Sequence, residues 1–197
     1  MTTGLRERKK RETHRALSGA AMELVRERGL DHVTVHDIAA AADVSVRTFF
    51  NYFSCKEEAV VGVDKGILDE LAEEVRRRPD GERVVDTLRV VLAAEDDPEA
   101  MVRRWQLRNE LVRRYPALLP RHLATTVQVE EALAGALAAR WGIDPAVDPG
   151  PRIFVAAALA ALRAALAWWE ESDRGTPLAA VFDIALSHVV TDLPRSP

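Results

Sequence analysis

The sequence predicts an all-α protein of about nine helices, on three observations. Hydrophobic residues fill 48% of the 197 positions and aromatics only 6%, with the strong helix formers alanine and leucine dominating. Apolar residues recur at three- and four-residue spacing, the period of a helix with one buried face. The interruptions are short and carry helix-ending Gly and Pro: Arg78-Pro79-Asp80-Gly81, Asp96-Asp97-Pro98, Tyr115-Pro116, Asp144 to Pro151, and Gly175-Thr176-Pro177. A chain of this length can bury a real core and hold one domain or two small ones.

The first helix is read from Leu17, Ala20, Ala21, Leu24 and Val25, and Gly29 ends it. Thr34 stands just before residues 35–42, where its hydroxyl can accept from the Asp37 backbone N–H as an N-cap, and Asp37 suits the positive end of the helix dipole. Asp43-Val44 follows as a tight turn, since Asp tolerates left-handed backbone. Ser45 then caps a third helix over residues 46–52. Helices this short do not persist alone. Ile38, Ala42, Val44, Phe49 and Phe53 therefore pack them against the first helix, and Val46, Arg47, Phe50 and Asn51 form the opposite, outward face. Ala59, Val60, Val63, Ile67, Leu71 and Val75 predict one long helix running on to Arg78. Further helices are expected at 82–93, 98–114, 117–141, 151–171 and 177–191.

Charge is unevenly spread. Residues 1–56 hold ten Lys/Arg against seven Asp/Glu, with Arg6, Arg8, Lys9, Lys10, Arg11 and Arg15 crowded at the start, although the whole chain carries a net charge of −4. A basic head on an acidic body suits one face turned to phosphates. The single cysteine, Cys55, excludes an internal disulfide. With no signal-like apolar leader, the expected compartment is the cytoplasm. The run from Ile153 to Trp169 is alanine-rich and interrupted by Arg163, shorter than the roughly 20 apolar residues of a membrane span. A packed helix is expected there, and no membrane partner.

Residues 34–57, Thr-Val-His-Asp-Ile-Ala-Ala-Ala-Ala-Asp-Val-Ser-Val-Arg-Thr-Phe-Phe-Asn-Tyr-Phe-Ser-Cys-Lys-Glu, resemble the DNA-binding signature of the TetR family. The resemblance implies a helix-turn-helix domain over 1–55 and an effector-binding and dimerisation domain over 56–197. It implies that the third helix enters the major groove, with Arg47 and Asn51 reading base edges. Thr34, Ser45, Thr48 and Tyr52 would lie near phosphates, Val46 on the groove face, and Lys56 clamped on the backbone. Arg47 suits guanine, whose O6 and N7 accept both arms of its fork. Two positions depart from the family pattern: Phe50 stands where tyrosine is common, losing a phosphate-binding hydroxyl, and Arg47 stands where many members have glycine. The resemblance further implies a homodimer through the last two helices, with recognition helices about 34–36 Å apart on an operator duplex.

For the body, Arg104 and Arg108 stack at i,i+4 with no acidic neighbour at helical spacing, whereas Glu99 can pair with Arg103 and Glu110 with Arg114. Beside Trp105, Trp141, Phe154, Trp168 and Trp169, such arginines could receive an unidentified small-molecule effector, anionic and partly apolar, such as an acyl thioester or an aromatic acid. The body also resembles, diffusely, an actinobacterial subgroup with acyl-coenzyme A effectors. No bound cofactor is expected beyond such an effector. The expected function is a transcriptional repressor released from its operator by the effector, the alternative being an effector-independent helical DNA-binding or protein-interaction module. Catalysis finds little support: there is no Gly-x-Ser-x-Gly elbow or Gly-rich phosphate loop, and the acidic pairs Glu57-Glu58, Glu130-Glu131 and Glu170-Glu171 diverge on helices. His32 and His36 straddle the Thr34 cap without a third ligand, so no metal site is expected.

Overall fold

The computed structural model describes residues 5–63, 65–79, 82, 86–87, 98–172 and 176–189. Among these lie nine α-helices: α1 (Leu5–Arg28), α2 (Val35–Ala41), α3 (Val46–Phe50), α4 (Lys56–Val61), α5 (Lys65–Arg77), α6 (Pro98–Arg114), α7 (Leu119–Trp141), α8 (Gly150–Glu171) and α9 (Leu178–Ser187). Short 3₁₀ turns cover Leu30–His32 and Pro116–Leu118. Most of the helix expected over 82–93 lies outside the described residues.

One expectation is corrected. The single long helix predicted from Ala59 to Val75 is two, α4 and α5, separated by an extended Gly62 at φ −69, ψ 159. The apolar spacing continues across the gap and hides the break. Gly62 brings its N–H to the Glu58 carbonyl at 2.6 Å, and a Cβ there would lie 2.5 Å from that oxygen. Only glycine fits so close an approach.

The chain groups into two compact units that do not follow sequence order, Met1–Leu68 with Ala100–Val127, and Asp69–Glu99 with Gln128–Pro197. In the first, α1 packs on α2 and α4, and α2 on α3. Leu17, Val25, Ile38, Phe49, Phe53 and Val60 make its core, which Leu111 and Leu118 join from far along the chain. In the second, Ala72 and Val75 of α5 and Leu133, Ala134, Ala136 and Leu137 of α7 pack with Phe154, Val155 and Ala158 of α8 and Leu186 of α9. Here α8 and α9 lie against each other, and the Trp169 indole N–H donates to the Thr176 carbonyl at 2.8 Å, tying the end of one to the approach of the next.

A polar clasp in the second unit joins residues far apart in sequence. The Arg140 guanidinium donates to the Thr87 hydroxyl at 2.7 Å and to the carbonyls of Pro79 and Glu82 at 2.5 and 2.9 Å. Arg78 donates to the Glu82 carboxylate at 2.7 Å, and Thr87 donates to it at 3.0 Å. The Arg78 hydrogen bond is the main reason the Glu82 carboxyl falls from 4.5 to about 2. No sequence pattern announces this clasp.

Candidate DNA interface

The geometry of the α2–turn–α3 segment is built by its caps. The Thr34 hydroxyl accepts from the Asp37 N–H at 3.2 Å, and the Asp37 carboxylate accepts from the Thr34 N–H and hydroxyl at 2.9 and 2.5 Å, a reciprocal capping box. These hydrogen bonds from Thr34, and then Arg28 at 3.9 Å, hold the Asp37 carboxyl below its ordinary range. Asp43 takes φ 52, the left-handed turn expected of it. The Ser45 hydroxyl accepts from the Thr48 N–H at 3.0 Å, and the two hydroxyls lie 2.8 Å apart. The hydroxyls of Thr34, Ser45 and Thr48 thus already serve the fold.

Phe49 decides which face of α3 points outward. It is fully buried, its ring 5.7 Å from Phe53 and 5.5 Å from Phe50. Burying such a side chain contributes about 2–3 kcal/mol relative to exposure. A helical turn places Arg47, Phe50 and Asn51 on the other side, all exposed, with Phe50 56% accessible and Val46 at the half-buried edge. Asn51 is the C-cap of α3, so the helix stops short of the expected Tyr52. An exposed phenylalanine beside an exposed arginine and asparagine has no role in the core. It forms a surface that can enter a groove and touch base edges and thymine methyls.

Lys56 is placed otherwise than as a purely outward clamp. Its ammonium donates to the carbonyls of Leu30 and Val33 at 2.6 and 3.0 Å, fastening the start of α4 to the 3₁₀ turn after α1. Sequence reasoning also missed His14, which is buried with its ring centroid 4.6 Å from Phe53 and 6.4 Å from Tyr52. Its spacing from Leu17 was the available signal. Glu58 closes the start of α4, accepting from the Ser54 N–H and hydroxyl at 2.7 and 2.5 Å. Partial burial raises that carboxyl, but Ser54 and Arg121 outweigh it and hold it below the ordinary range.

The expected effector residues do not form one cluster within either unit. Arg104, Trp105 and Arg108 are half-buried on α6 in the first unit. Trp141 and Phe154 belong to the second, edge to face at 6.4 Å, with Phe154 in its core. Trp168 is 50% exposed on α8. Arg114 stands over the Tyr115 ring at 5.4 Å. The Arg108 Nε is buried without a hydrogen-bond partner among the described residues. Burial, and then the charge of Arg104, lower its pKa. Among the described residues no group of three or more His, Cys, Asp or Glu could hold a metal ion.

The fold and the outward face of α3 define a helix-turn-helix DNA-binding regulator. Residues 18–63 match the family described as bacterial regulatory proteins, tetR family, and residues 82–194 match the MftR C-terminal domain. The chain is 36% identical over 167 residues to the HTH-type transcriptional regulator TcmR of Streptomyces glaucescens, covering 78% of this chain and 71% of that one. In fold it is similar to the fatty acid degradation regulator FadR of Bacillus halodurans, at TM-score 0.57 and 17% identity over 91% of this chain and 98% of that one. It is similar also to SmeT, repressor of the Stenotrophomonas maltophilia multidrug efflux pump SmeDEF, at TM-score 0.51 and 19% identity over 90% of each chain. The chain belongs to the TetR family of transcriptional regulators.

Proposed function

We propose that this regulator is a cytoplasmic repressor, a two-fold dimer that binds an operator through α3 and is released by an anionic, partly apolar small molecule, with no catalytic step. The observation that carries the DNA reading is the exposed Arg47, Phe50 and Asn51 face held out by a fully buried Phe49. In this reading Arg47 and Asn51 read bases, Val46 and Phe50 make apolar groove contacts, and the backbones of the capped turns with Tyr52 approach phosphates. Lys56 offers a phosphate its third N–H. Selection from random duplex DNA, followed by gel shift with Arg47→Ala, tests it. The variant should lose about 1–3 kcal/mol and relax one base preference. A wild-type protein that enriches no sequence would sink the reading.

A second copy of the chain is proposed to cover α8. Ile153, Ala157, Ala160, Ala164 and Trp168 are all exposed, at spacings of three and four that make one stripe, while Phe154, Ala158, Leu162 and Leu166 face inward. By length and hydropathy α8 could cross a bilayer. The exposed Arg152 and Arg163 beside the stripe, and the exposed Ile184 of α9, instead suit a protein interface with a charged rim. Ala160→Glu should give monomers in analytical ultracentrifugation and weaken operator binding.

The effector reading rests on Arg108. Its buried Nε has no hydrogen-bond partner among the described residues, which is costly, and the nearby charge is that of Arg104. An entering anion would relieve both, with Trp105 supplying apolar surface. An effector preferring the conformation with displaced heads weakens operator binding by the factor that the operator weakens effector binding. Acyl thioesters and aromatic acids are the screen, and Arg108→Gln should abolish the thermal shift of any hit.

A further inference from the structure

The basic run at the start of α1 is not needed for the core of the head. Among the described side chains, inward burial on α1 begins at His14 and continues through Leu17, Ser18 and Ala21. The helix nevertheless extends back to Leu5, nine residues earlier and about 14 Å at 1.5 Å per residue. That extension starts from a defined place. His14 packs on Phe53 and Tyr52, and Tyr52 lies two residues after the end of α3. The extension therefore leaves the head beside the C-terminal end of the helix whose outward face carries Arg47 and Asn51.

Its charges are arranged to match. Lys10 precedes His14 by four residues, so it continues the helix face that carries His14, Leu17 and Ala21 inward. Where that face emerges from the core it changes from apolar to cationic. Lys10 and its neighbour Lys9 are exposed, and no carboxylate pairs with either among the described residues. Arg8 differs, its guanidinium lying 3.7 Å from Glu12. Two ammonium groups without a carboxylate partner among the described residues, carried on a helix next to a surface proposed to enter the major groove, suit the chemistry of a sugar-phosphate backbone. Lysine binds phosphate as a point charge, without reading sequence.

We infer that the N-terminal extension of α1 is a second DNA contact, with Lys9 and Lys10 binding phosphates that flank the site entered by α3. The inference rests on the DNA-binding reading above. It divides the work: α3 supplies specificity and the extension supplies sequence-independent affinity.

The test is a Lys9→Gln/Lys10→Gln double variant, since glutamine keeps the helix propensity of lysine. Affinity is measured against salt for the duplex the wild type selects from a random pool and for one unselected duplex. The slope of log affinity on log salt should shrink by about two per protomer, at about 0.9 for each phosphate no longer neutralised. Affinity at physiological salt should fall roughly tenfold or more on both duplexes, with base preference and thermal midpoint unchanged. Wild-type-like slopes in the variant would overturn the inference and leave the DNA-binding reading standing. A changed base preference would overturn it as well, by making the lysines readers. Failure of the wild type to select any sequence would overturn both.

Discussion

The DNA-binding head and the second unit are both built of helices with few aromatic residues, yet they are held by different means. In the head, α2 and α3 carry side-chain caps, Thr34 with Asp37 and Ser45 with Thr48, and ahead of α4 the Ser54 N–H is held by the Glu58 carboxylate. In the second unit the Asp148 carboxylate accepts from the Gly150 N–H at 2.7 Å at the start of α8, while α9 begins after Pro177 with no side-chain cap. Apolar packing between helices and the Arg140 clasp hold that unit instead. The head has its geometry set locally, by side chains three or four residues apart. The second unit can leave the start of α9 uncapped, because packing against α8 offsets the loss.

The contrast can be broken from either side. The largest effect is expected at the head's core, where Phe49→Ala should cost about 3–5 kcal/mol in denaturant unfolding and abolish specific DNA binding. Next comes Arg140→Met, which removes the donor shared by the Thr87 hydroxyl and the carbonyls of Pro79 and Glu82, leaving Thr87 its hydrogen bond to Glu82. It should cost about 2–4 kcal/mol and leave the selected DNA sequence unaltered. Thr34→Ala removes one arm of the capping box and should cost about 1 kcal/mol. Its DNA affinity should fall without a change in preferred bases, and an altered preference would show that the cap also reads sequence.

The smallest effect sharpens the comparison by pH. Because the folded Glu82 carboxyl lies at about 2, below its ordinary 4.5, its contribution is present above pH 4.5 and is lost as pH falls toward 2. Glu82→Gln should therefore shallow the acid limb of the stability curve between those values. An unchanged acid limb would place the pH sensitivity elsewhere, with Asp37 of the head the next group to test because its carboxyl is also lowered.

Much of the head was legible because its determinants lie within a few residues of one another. The caps at Thr34 and Ser45, the left-handed Asp43 and the division of α3 into a buried Phe49 and exposed Arg47, Phe50 and Asn51 follow from spacing and side-chain chemistry. The internal role of Lys56 was not legible, since its acceptors lie 23 and 26 residues earlier. The break at Gly62 was masked by apolar spacing that fits either one helix or two.

By itself, then, the sequence determined an all-helical chain, a capped helix-turn-helix near its start and the side chains that face outward from it, because propensity, capping and periodicity act over one or two turns. Only the tertiary structure decided that Leu111 and Leu118 complete the core around Phe49, that Arg140 gathers Thr87 and two carbonyls more than 50 residues away, and that His14 sets the basic start of α1 beside the end of α3. Those contacts depend on how helices meet in space, and neither hydrophobic burial nor a hydrogen-bond donor carries a record of which distant residue will supply the other side.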